Sequence, residues 1–190
     1  VGDTPYQMDM RPCVYPFSTP PHFVWVSKKF NLNTPGWNKD HFDDVEKAIR
    51  RDTVLISIML ANNEVGTIQP IQEICEIAKK AGVPVHTDAV QAFGKLEIDL
   101  KKLNVSLLSV SAHKIHGPKG VGALFVRRDV RIVPRQFGGH HERNLRAGTE
   151  NVPGIAGFAE AARIAHEKLA SNAEYMKNLR DELEKKILEE

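Results

Sequence analysis

One lysine of the sequence is surrounded by residue types that could hold a phosphorylated aldehyde. Lys114 follows the apolar run 105–110 and lies among Ser111, His113 and a turn that begins at Gly117. A lysine amine forms a Schiff base with an aldehyde when rigid structure positions it and limits its hydration. Glycine lets the backbone turn sharply beneath a bulky ligand, because it tolerates backbone angles that other residues avoid. The segment therefore indicates a site for an aldehyde that carries a phosphate.

A carboxylate ends a second apolar segment, about one strand–helix–strand repeat before the lysine. Asp88 closes the segment 83–88, which we predict to be a strand, as we do the segment 105–111. If these strands are parallel neighbours, Asp88 and Lys114 emerge at the carboxyl edge of the sheet, where open α/β sheets bind ligands. A lysine for the aldehyde carbon and a carboxylate that keeps a pyridine nitrogen protonated suit pyridoxal 5′-phosphate.

Spacing alone does not identify Lys114 as a cofactor-binding residue, because a single lysine after a strand is usually a solvated surface residue. Four motifs in a fixed order narrow the choice: ANNEVGTIQP at 61–70, HTDAVQ at 86–91, SAHK at 111–114 and GGHHERNLRAGTEN at 138–151. Together they resemble the cysteine desulfurases, which belong to the class V aminotransferases within the pyridoxal-phosphate enzymes of fold type I. The resemblance covers residues 36–190.

The resemblance implies catalytic and ring-binding roles for four residues. Lys114 matches the lysine that forms the Schiff base and then moves the α-proton of the substrate. Asp88 matches the carboxylate that pairs with the pyridine nitrogen, and Gln91 matches the residue that bonds the phenolic oxygen of the ring. Asn63 matches the asparagine that lies beside the ring and helps to hold the substrate carboxylate. We expect its neighbours Asn62 and Glu64 to fix the adjoining turn through side-chain to backbone bonds.

Three further residues match groups that hold the cofactor phosphate. Ser111 and His113 match two phosphate ligands, and strand alternation predicts that their side chains point the same way. Thr149 matches a threonine that reaches the phosphate bound by the neighbouring subunit. The resemblance therefore implies a homodimer in which each subunit contributes to the site of the other.

The function implied by the resemblance is conversion of L-cysteine to L-alanine, with the sulfur left as a protein-bound persulfide for iron–sulfur cluster or thio-cofactor assembly. A sulfur-acceptor or scaffold protein is then an expected partner. The family's mechanism requires a cysteine on a mobile loop, and neither Cys13 nor Cys75 occupies such a place. Three alternatives therefore stay open: a selenocysteine lyase, a truncated chain that binds cofactor or dimerises without turnover, and an interaction module built on the helix 153–190.

Composition argues against several other classes of protein. A net charge of +2 over 190 residues, without a basic run interleaved with aromatic residues, does not favour a nucleic-acid partner. No stretch approaches the roughly 18 to 20 apolar residues that cross a bilayer, so we expect no membrane partner. The spacing of the two cysteines indicates neither a disulfide framework nor a metal site, and His140 and His141 lack supporting ligands. We expect a cytoplasmic protein, with a mitochondrial location left open.

The expected architecture is the α/β large domain of a pyridoxal-phosphate transferase: three layers with a mostly parallel sheet, incomplete at both ends. Besides the two strands above, strands are predicted at 54–60 and at 122–128, the latter antiparallel because only a short turn precedes it. A helix from Pro70 to Ala81 carries Cys75 on its apolar face, where the thiol should pack as a small hydrophobic group.

The chain divides into three segments in this interpretation. Residues 1–35 are proline-rich and irregular apart from a short strand at 22–26, and residues 36–152 form the cofactor-binding portion. Residues 153–190 form a long connector helix, bent near residues 171–172, that leads toward a further domain. Because the sequence starts at Val1 and stops within a helical pattern, we expect it to be a piece of a longer protein.

Overall fold

The fold is built on a five-stranded sheet, seen in a computed structural model that describes residues 22–25 and 39–189. The strands are β1 (His22–Trp25), β2 (Thr53–Met59), β3 (Val85–Asp88), β4 (Leu107–Ser111) and β5 (Gly122–Val126), and they lie side by side in that order. Strands β1 to β4 are parallel, and β5 is antiparallel to β4. The expected mostly parallel α/β sheet is therefore confirmed, as are the antiparallel last strand and the short strand near residue 22.

One face of the sheet is covered by helices and forms the core. Helix α1 (Lys39–Ala48) contacts helix α2 (Ile71–Lys80), which buries Ile71, Ile74, Cys75 and Ala78. These side chains join buried residues of the strands, among them Ile56, Val85 and Leu108. Helix α2 ends before Gly82, whose φ of +69° favours glycine. The helix predicted from Pro70 to Ala81 is thus confirmed, with Pro70 immediately before its first turn.

The other face of the sheet carries polar side chains. Ser57 of β2 pairs in register with His86 of β3, and Asp88 of β3 pairs with Ser109 of β4. Register partners of parallel strands point to the same face, and so do residues two apart within a strand. These four side chains therefore share one face, and all four are half-buried.

Two helices follow the loop after β5, and they are separated by a break that differs from the prediction. Helix α4 (Val152–Glu167) and helix α5 (Leu169–Leu188) meet at Lys168, so the bend predicted at residues 171–172 was placed too late. Helix α4 packs on the turn that follows β4, whereas the apolar stripe of α5, which includes Met176, Leu179 and Leu183, is exposed. Helix α3 (Leu100–Leu103) is a single turn between β3 and β4.

Most of the proline-rich segment lies outside the described residues, apart from β1. The proposed division at residues 36 and 153 stays a prediction. Among the described residues, no helix is long and apolar enough to cross a membrane.

Candidate functional site

Asp88 and the turn that contains Lys114 lie at the ends of adjacent parallel strands. Asp88 is the last residue of β3, Ser111 is the last residue of β4, and a 3₁₀ helix from Ala112 to Ile115 follows at once. Because β3 and β4 are paired in parallel, both ends point to the carboxyl edge of the sheet. The sheet thus brings the predicted lysine and carboxylate to one edge, as the sequence pattern required.

The 3₁₀ helix corrects one detail of the sequence interpretation. Strand alternation cannot relate Ser111 to His113, because the strand ends at Ser111 and the following residues are helical. The two side chains are nevertheless close, with 2.7 Å between Ser111 Oγ and His113 Nδ1. The helix ends at His116, whose φ is +65°. Its last turn is closed by the N–H of Gly117, which donates to the carbonyl of Ala112 at 2.9 Å.

Lys114 is half-buried, and its amine has no hydrogen bond or ion pair with the described residues. Two neighbouring segments pack closely on the turn. A Cβ on Gly117 of the turn would lie 3.2 Å from the Ala161 Cβ of helix α4, and a Cβ on Gly94, in the segment after β3, would lie 2.6 Å from the Ile115 Cγ2. Such close packing leaves little room for the backbone of the turn to shift. The backbone that carries Lys114 is therefore held in place, and its amine is available to a ligand.

Asp88 is half-buried, and one of its carboxylate oxygens is already oriented by the backbone. Its Oδ1 accepts a hydrogen bond from the N–H of Val90 at 2.9 Å. Its Oδ2 makes no hydrogen bond within residues 42–189, so it can accept one from a ligand. Gln91 lies three residues later in the turn and is half-buried, and its carbonyl accepts from Lys95 Nζ at 3.3 Å.

Asn63 lies in the turn beyond the end of β2, the strand next to β3, and its side chain is exposed. The turn is fixed by its neighbour Asn62, whose Oδ1 accepts from the N–H of Glu64 at 2.8 Å and from that of Val65 at 2.9 Å. This is an Asx-type arrangement. The predicted role of Asn62 in fixing the turn is confirmed, whereas Glu64 takes part through its backbone N–H.

Thr149 lies in a different segment of the chain from the candidates at the ends of β3 and β4. It lies exposed in the loop between β5 and α4, and no hydrogen bond joins it to another candidate residue in the described part of the chain. The same loop contains three consecutive left-handed residues, Glu142, Arg143 and Asn144, with φ between 48° and 66°. Left-handed backbone is costly for residues other than glycine, so the loop conformation is strained.

Three residues of the polar face were missed by the sequence interpretation. His86 Nδ1 lies 2.8 Å from Ser57 Oγ, and its Nε2 lies 3.1 Å from Ser109 Oγ. Burial lowers the pKa of His86 because it disfavours the imidazolium, and the nearby Asp88 carboxylate opposes this effect only in part. The signal in the sequence is the spacing of two between His86 and Asp88, which puts both on one face of the strand.

Cys75 packs against the sheet as predicted. It is buried, and burial raises the pKa of its thiol to about 11 because the thiolate is poorly solvated there. A thiol with a raised pKa is a poor nucleophile near neutral pH. Cys75 is therefore a structural residue, and Cys13 lies outside the described residues.

The groups at the edge of the sheet fit pyridoxal 5′-phosphate. An unpartnered amine suits the aldehyde, a carboxylate with a free oxygen suits the pyridine nitrogen, and a paired hydroxyl and imidazole suit a phosphate. All three kinds of group come from β3, β4 and the turn after β4. Among the described residues, no group of three or more His, Cys, Asp or Glu side chains could hold a metal ion.

Comparison with known proteins agrees with this fit. Residues 28–190 match the family Aminotransferase class-V. The chain belongs to this family. Class V aminotransferases are pyridoxal-phosphate enzymes, so the family and the donor groups point to the same cofactor.

Curated relatives of this class V chain are named as cysteine desulfurases, and NifS-like proteins are among the solved structures that resemble it. A protein named cysteine desulfurase IscS from Methanosarcina thermophila is 55% identical over 141 residues, which are 74% of this chain and 35% of that protein. Relatives of about 50% identity include proteins named as mitochondrial cysteine desulfurases from yeasts. The chain thus spans about a third of the length of the curated relatives it matches.

Two solved structures show the same fold. A structure titled NifS-like protein is 49% identical and has a TM-score of 0.74, covering 78% of this chain and 41% of that one. Another, titled SspA in complex with cysteine, is 47% identical with a TM-score of 0.62 and covers 64% of this chain and 36% of that one. These similarities confirm the predicted fold.

Proposed function

We propose that the protein carries the cofactor-binding part of a pyridoxal-phosphate-dependent cysteine desulfurase. The proposed reaction converts L-cysteine to L-alanine and leaves the sulfur as a persulfide on a cysteine of the protein. The observation that carries the proposal is the half-buried Lys114 amine, which has no partner in the described residues and lies at the same sheet edge as Asp88. The naming of its relatives as cysteine desulfurases supports this reaction over others of the family.

The roles of the side chains follow from their chemistry. The bound cofactor supplies an electron sink that stabilises negative charge at the substrate carbon next to the amino group. Lys114 would hold the cofactor at its aldehyde carbon, and the Lys114 amine would move the proton at that substrate carbon. Asp88 would accept a hydrogen bond from the pyridine nitrogen and keep the proton on that nitrogen. Gln91 donates to the phenolic oxygen, and Asn63 donates to the substrate carboxylate.

The groups that we propose to bind the cofactor phosphate lie at the turn after β4 and on a second subunit. Ser111 and His113 donate from one subunit, and their contact at 2.7 Å supports a joint role. The exposure of Thr149, away from the other candidates, supports its predicted place beside the phosphate of a partner subunit. We therefore propose a homodimer in which the loop that carries Thr149 reaches the cofactor site of the other subunit.

The substrate, the sulfur acceptor and the location complete the proposal. A solved relative whose title names bound cysteine supports L-cysteine as the substrate. A sulfur-acceptor or scaffold protein of iron–sulfur cluster or thio-cofactor assembly would receive the persulfide. The cytoplasm or the mitochondrion is the proposed location, and the relatives named as mitochondrial support the second.

A second function, cofactor binding without sulfur removal, is favoured by the state of Cys75. Its buried thiol, with a pKa raised to about 11, does not suit attack on a substrate sulfur. Release of sulfide from L-cysteine in the presence of a thiol reductant distinguishes the two functions. Turnover supports the desulfurase, and cofactor binding without turnover supports the second function. The same assay with L-selenocysteine tests for a lyase.

The cofactor-binding step is tested by titration of the purified protein with pyridoxal 5′-phosphate. We expect a visible absorbance band that the Lys114→Ala variant lacks. Lys119→Ala is the matched control, since Lys119 is an exposed lysine in the next turn of the chain. The control should bind like the unaltered protein. Equal titration curves for the unaltered protein and Lys114→Ala would refute the proposed role of Lys114.

A further inference from the structure

Three side chains, one from each of three adjacent strands, are linked by hydrogen bonds on the sheet face that carries Asp88. His86 of β3 contacts Ser57 Oγ of β2 through Nδ1 at 2.8 Å and Ser109 Oγ of β4 through Nε2 at 3.1 Å. Both ring nitrogens of His86 are therefore satisfied by neighbouring strands. We name this group the Ser57–His86–Ser109 clamp.

We propose that His86 is a positioning residue, which acts through this clamp to fix Asp88 relative to the turn of Lys114. The inference rests on the proposed function, since it concerns the geometry of the same cofactor site. His86 itself touches no reacting atom in this account. It fixes the position of the Asp88 carboxylate relative to Lys114.

The register of the strands explains how the clamp reaches Asp88. His86 precedes Asp88 by two residues on the same face of β3, and Ser109 is the register partner of Asp88 on β4. The contact from His86 to Ser109 therefore runs diagonally to the residue opposite Asp88. Ser109 in turn precedes Ser111, the last residue before the 3₁₀ helix that carries Lys114.

Backbone hydrogen bonds hold the same strands, but they leave the side-chain face unconstrained. The N–H of Leu60 donates to the carbonyl of Asp88 at 2.9 Å, and the N–H of Ala89 donates to the carbonyl of Ser109 at 3.0 Å. These bonds set the spacing of the strands in the plane of the sheet. The clamp adds a cross-link between side chains above that plane, on the face that carries Asp88.

The neutral state of His86 suits this role. Its lowered pKa keeps the imidazole uncharged near neutral pH, so no second cation stands beside Asp88. No imidazolium then competes with the pyridine nitrogen of the ligand for the Asp88 carboxylate. A neutral imidazole offers one donor and one acceptor, and serine hydroxyls can serve as either, so every group in the clamp is satisfied.

The first test measures cofactor affinity and the absorbance spectrum of clamp variants. His86→Phe keeps a ring without hydrogen-bonding groups, and we expect it to weaken binding of pyridoxal 5′-phosphate about tenfold or more. It should also shift the position or pH dependence of the visible band. His86→Gln retains a donor and an acceptor and should restore the band. Ser57→Ala and Ser109→Ala should each weaken binding about threefold to tenfold.

Ser106→Ala is the matched control for loss of a serine hydroxyl between the same two strands. Ser106 Oγ accepts from the N–H of Val85 at 3.2 Å, at the end of the strands away from the site. We expect this variant to lose stability without a change in cofactor affinity or spectrum. If Ser109→Ala and Ser106→Ala affect the spectrum and affinity equally, the clamp has only a structural role and the inference is wrong.

A second test does not use the cofactor, so it separates failure of the clamp from failure of the proposed function. In a double-mutant cycle of unfolding, His86→Phe and Ser57→Ala should be coupled by about threefold or more in the unfolding equilibrium constant. Additive effects would overturn the clamp, whatever the protein binds. If the cycle shows coupling but Lys114→Ala binds cofactor normally, the proposed function fails while the clamp stands as a strand cross-link without its positioning role.

Discussion

The Nδ1 atom of His113 lies 2.7 Å from the Oγ atom of Ser111, although the two residues belong to different elements. Ser111 ends β4, and His113 lies in the 3₁₀ helix that follows. The abrupt change from strand to helix brings the two side chains together at the point where a ligand phosphate would lie. A hydroxyl and an imidazole already in contact need little further ordering to bind an anion, which lowers the entropic cost of binding.

We predict that Ser111→Ala weakens binding of pyridoxal 5′-phosphate about fivefold to a hundredfold, because one hydrogen bond to a charged phosphate is lost and His113 loses its orientation. Binding of pyridoxal, which lacks the phosphate, should change much less. Absorbance titration with both ligands measures the difference. An equal loss of affinity for the two ligands would contradict a phosphate-binding role.

The close packing of Gly94 between the Lys114 turn and helix α4 gives a second prediction. A Cβ at this position would lie 2.6 Å from Ile115 Cγ2 and 3.1 Å from Ala165 Cβ. Gly66 has nearly the same φ, +72° against +73°, but nothing lies within 4 Å of its Cβ position. The backbone strain of an alanine is therefore similar at both sites, and only Gly94→Ala also crowds its neighbours.

We expect Gly94→Ala to lower the free energy of unfolding by about 1–3 kcal/mol more than Gly66→Ala does. Denaturant unfolding of the two variants measures this difference. Since Ile115 adjoins Lys114, Gly94→Ala should also alter the absorbance of bound cofactor, whereas Gly66→Ala should not. Equal stabilities would mean that Gly94 is not tightly packed between the Lys114 turn and α4.

The buried thiol of Cys75 gives a prediction for alkaline pH. Its folded-state pKa, about 11, lies above the value near 9.0 expected for an exposed thiol. Between these values the unfolded chain loses the thiol proton while the folded chain keeps it, so stability falls as the pH rises. We expect the wild type to lose about 2 kcal/mol relative to Cys75→Ala between pH 8 and pH 11. Denaturant unfolding across this range measures the loss, and parallel curves for the two proteins would refute it.

Much of the fold was predictable because it depends on local patterns. The nearly continuous apolar run of β2 indicated a strand buried in a parallel sheet, and the short turn before β5 required antiparallel pairing. The position of Gly82 indicated where α2 ends. The break between α4 and α5 could not be placed in this way, since it falls at Lys168, a residue that favours helices. It lies just beyond Ala165, the α4 residue that packs against Gly94.

The parts of the candidate site that could be predicted are those whose residue type alone indicates a chemical role. Lys114 and Asp88 stood out because each follows an apolar strand, and parallel pairing brings them to one edge. The Ser57–His86–Ser109 clamp did not stand out, because its contacts depend on the register of three strands, and the sequence does not specify that register. The pairing of Ser111 with His113 was expected from strand alternation, but it depends on a 3₁₀ turn.

The central claim is that pyridoxal 5′-phosphate attaches covalently to Lys114. Borohydride reduction of the protein with its cofactor, followed by proteolysis and mass spectrometry of the peptides, tests it most directly. We predict one pyridoxyl-phosphate group at Lys114, and none at Lys119 in the next turn. Modification spread over exposed lysines, or confined to a residue other than Lys114, would contradict the account.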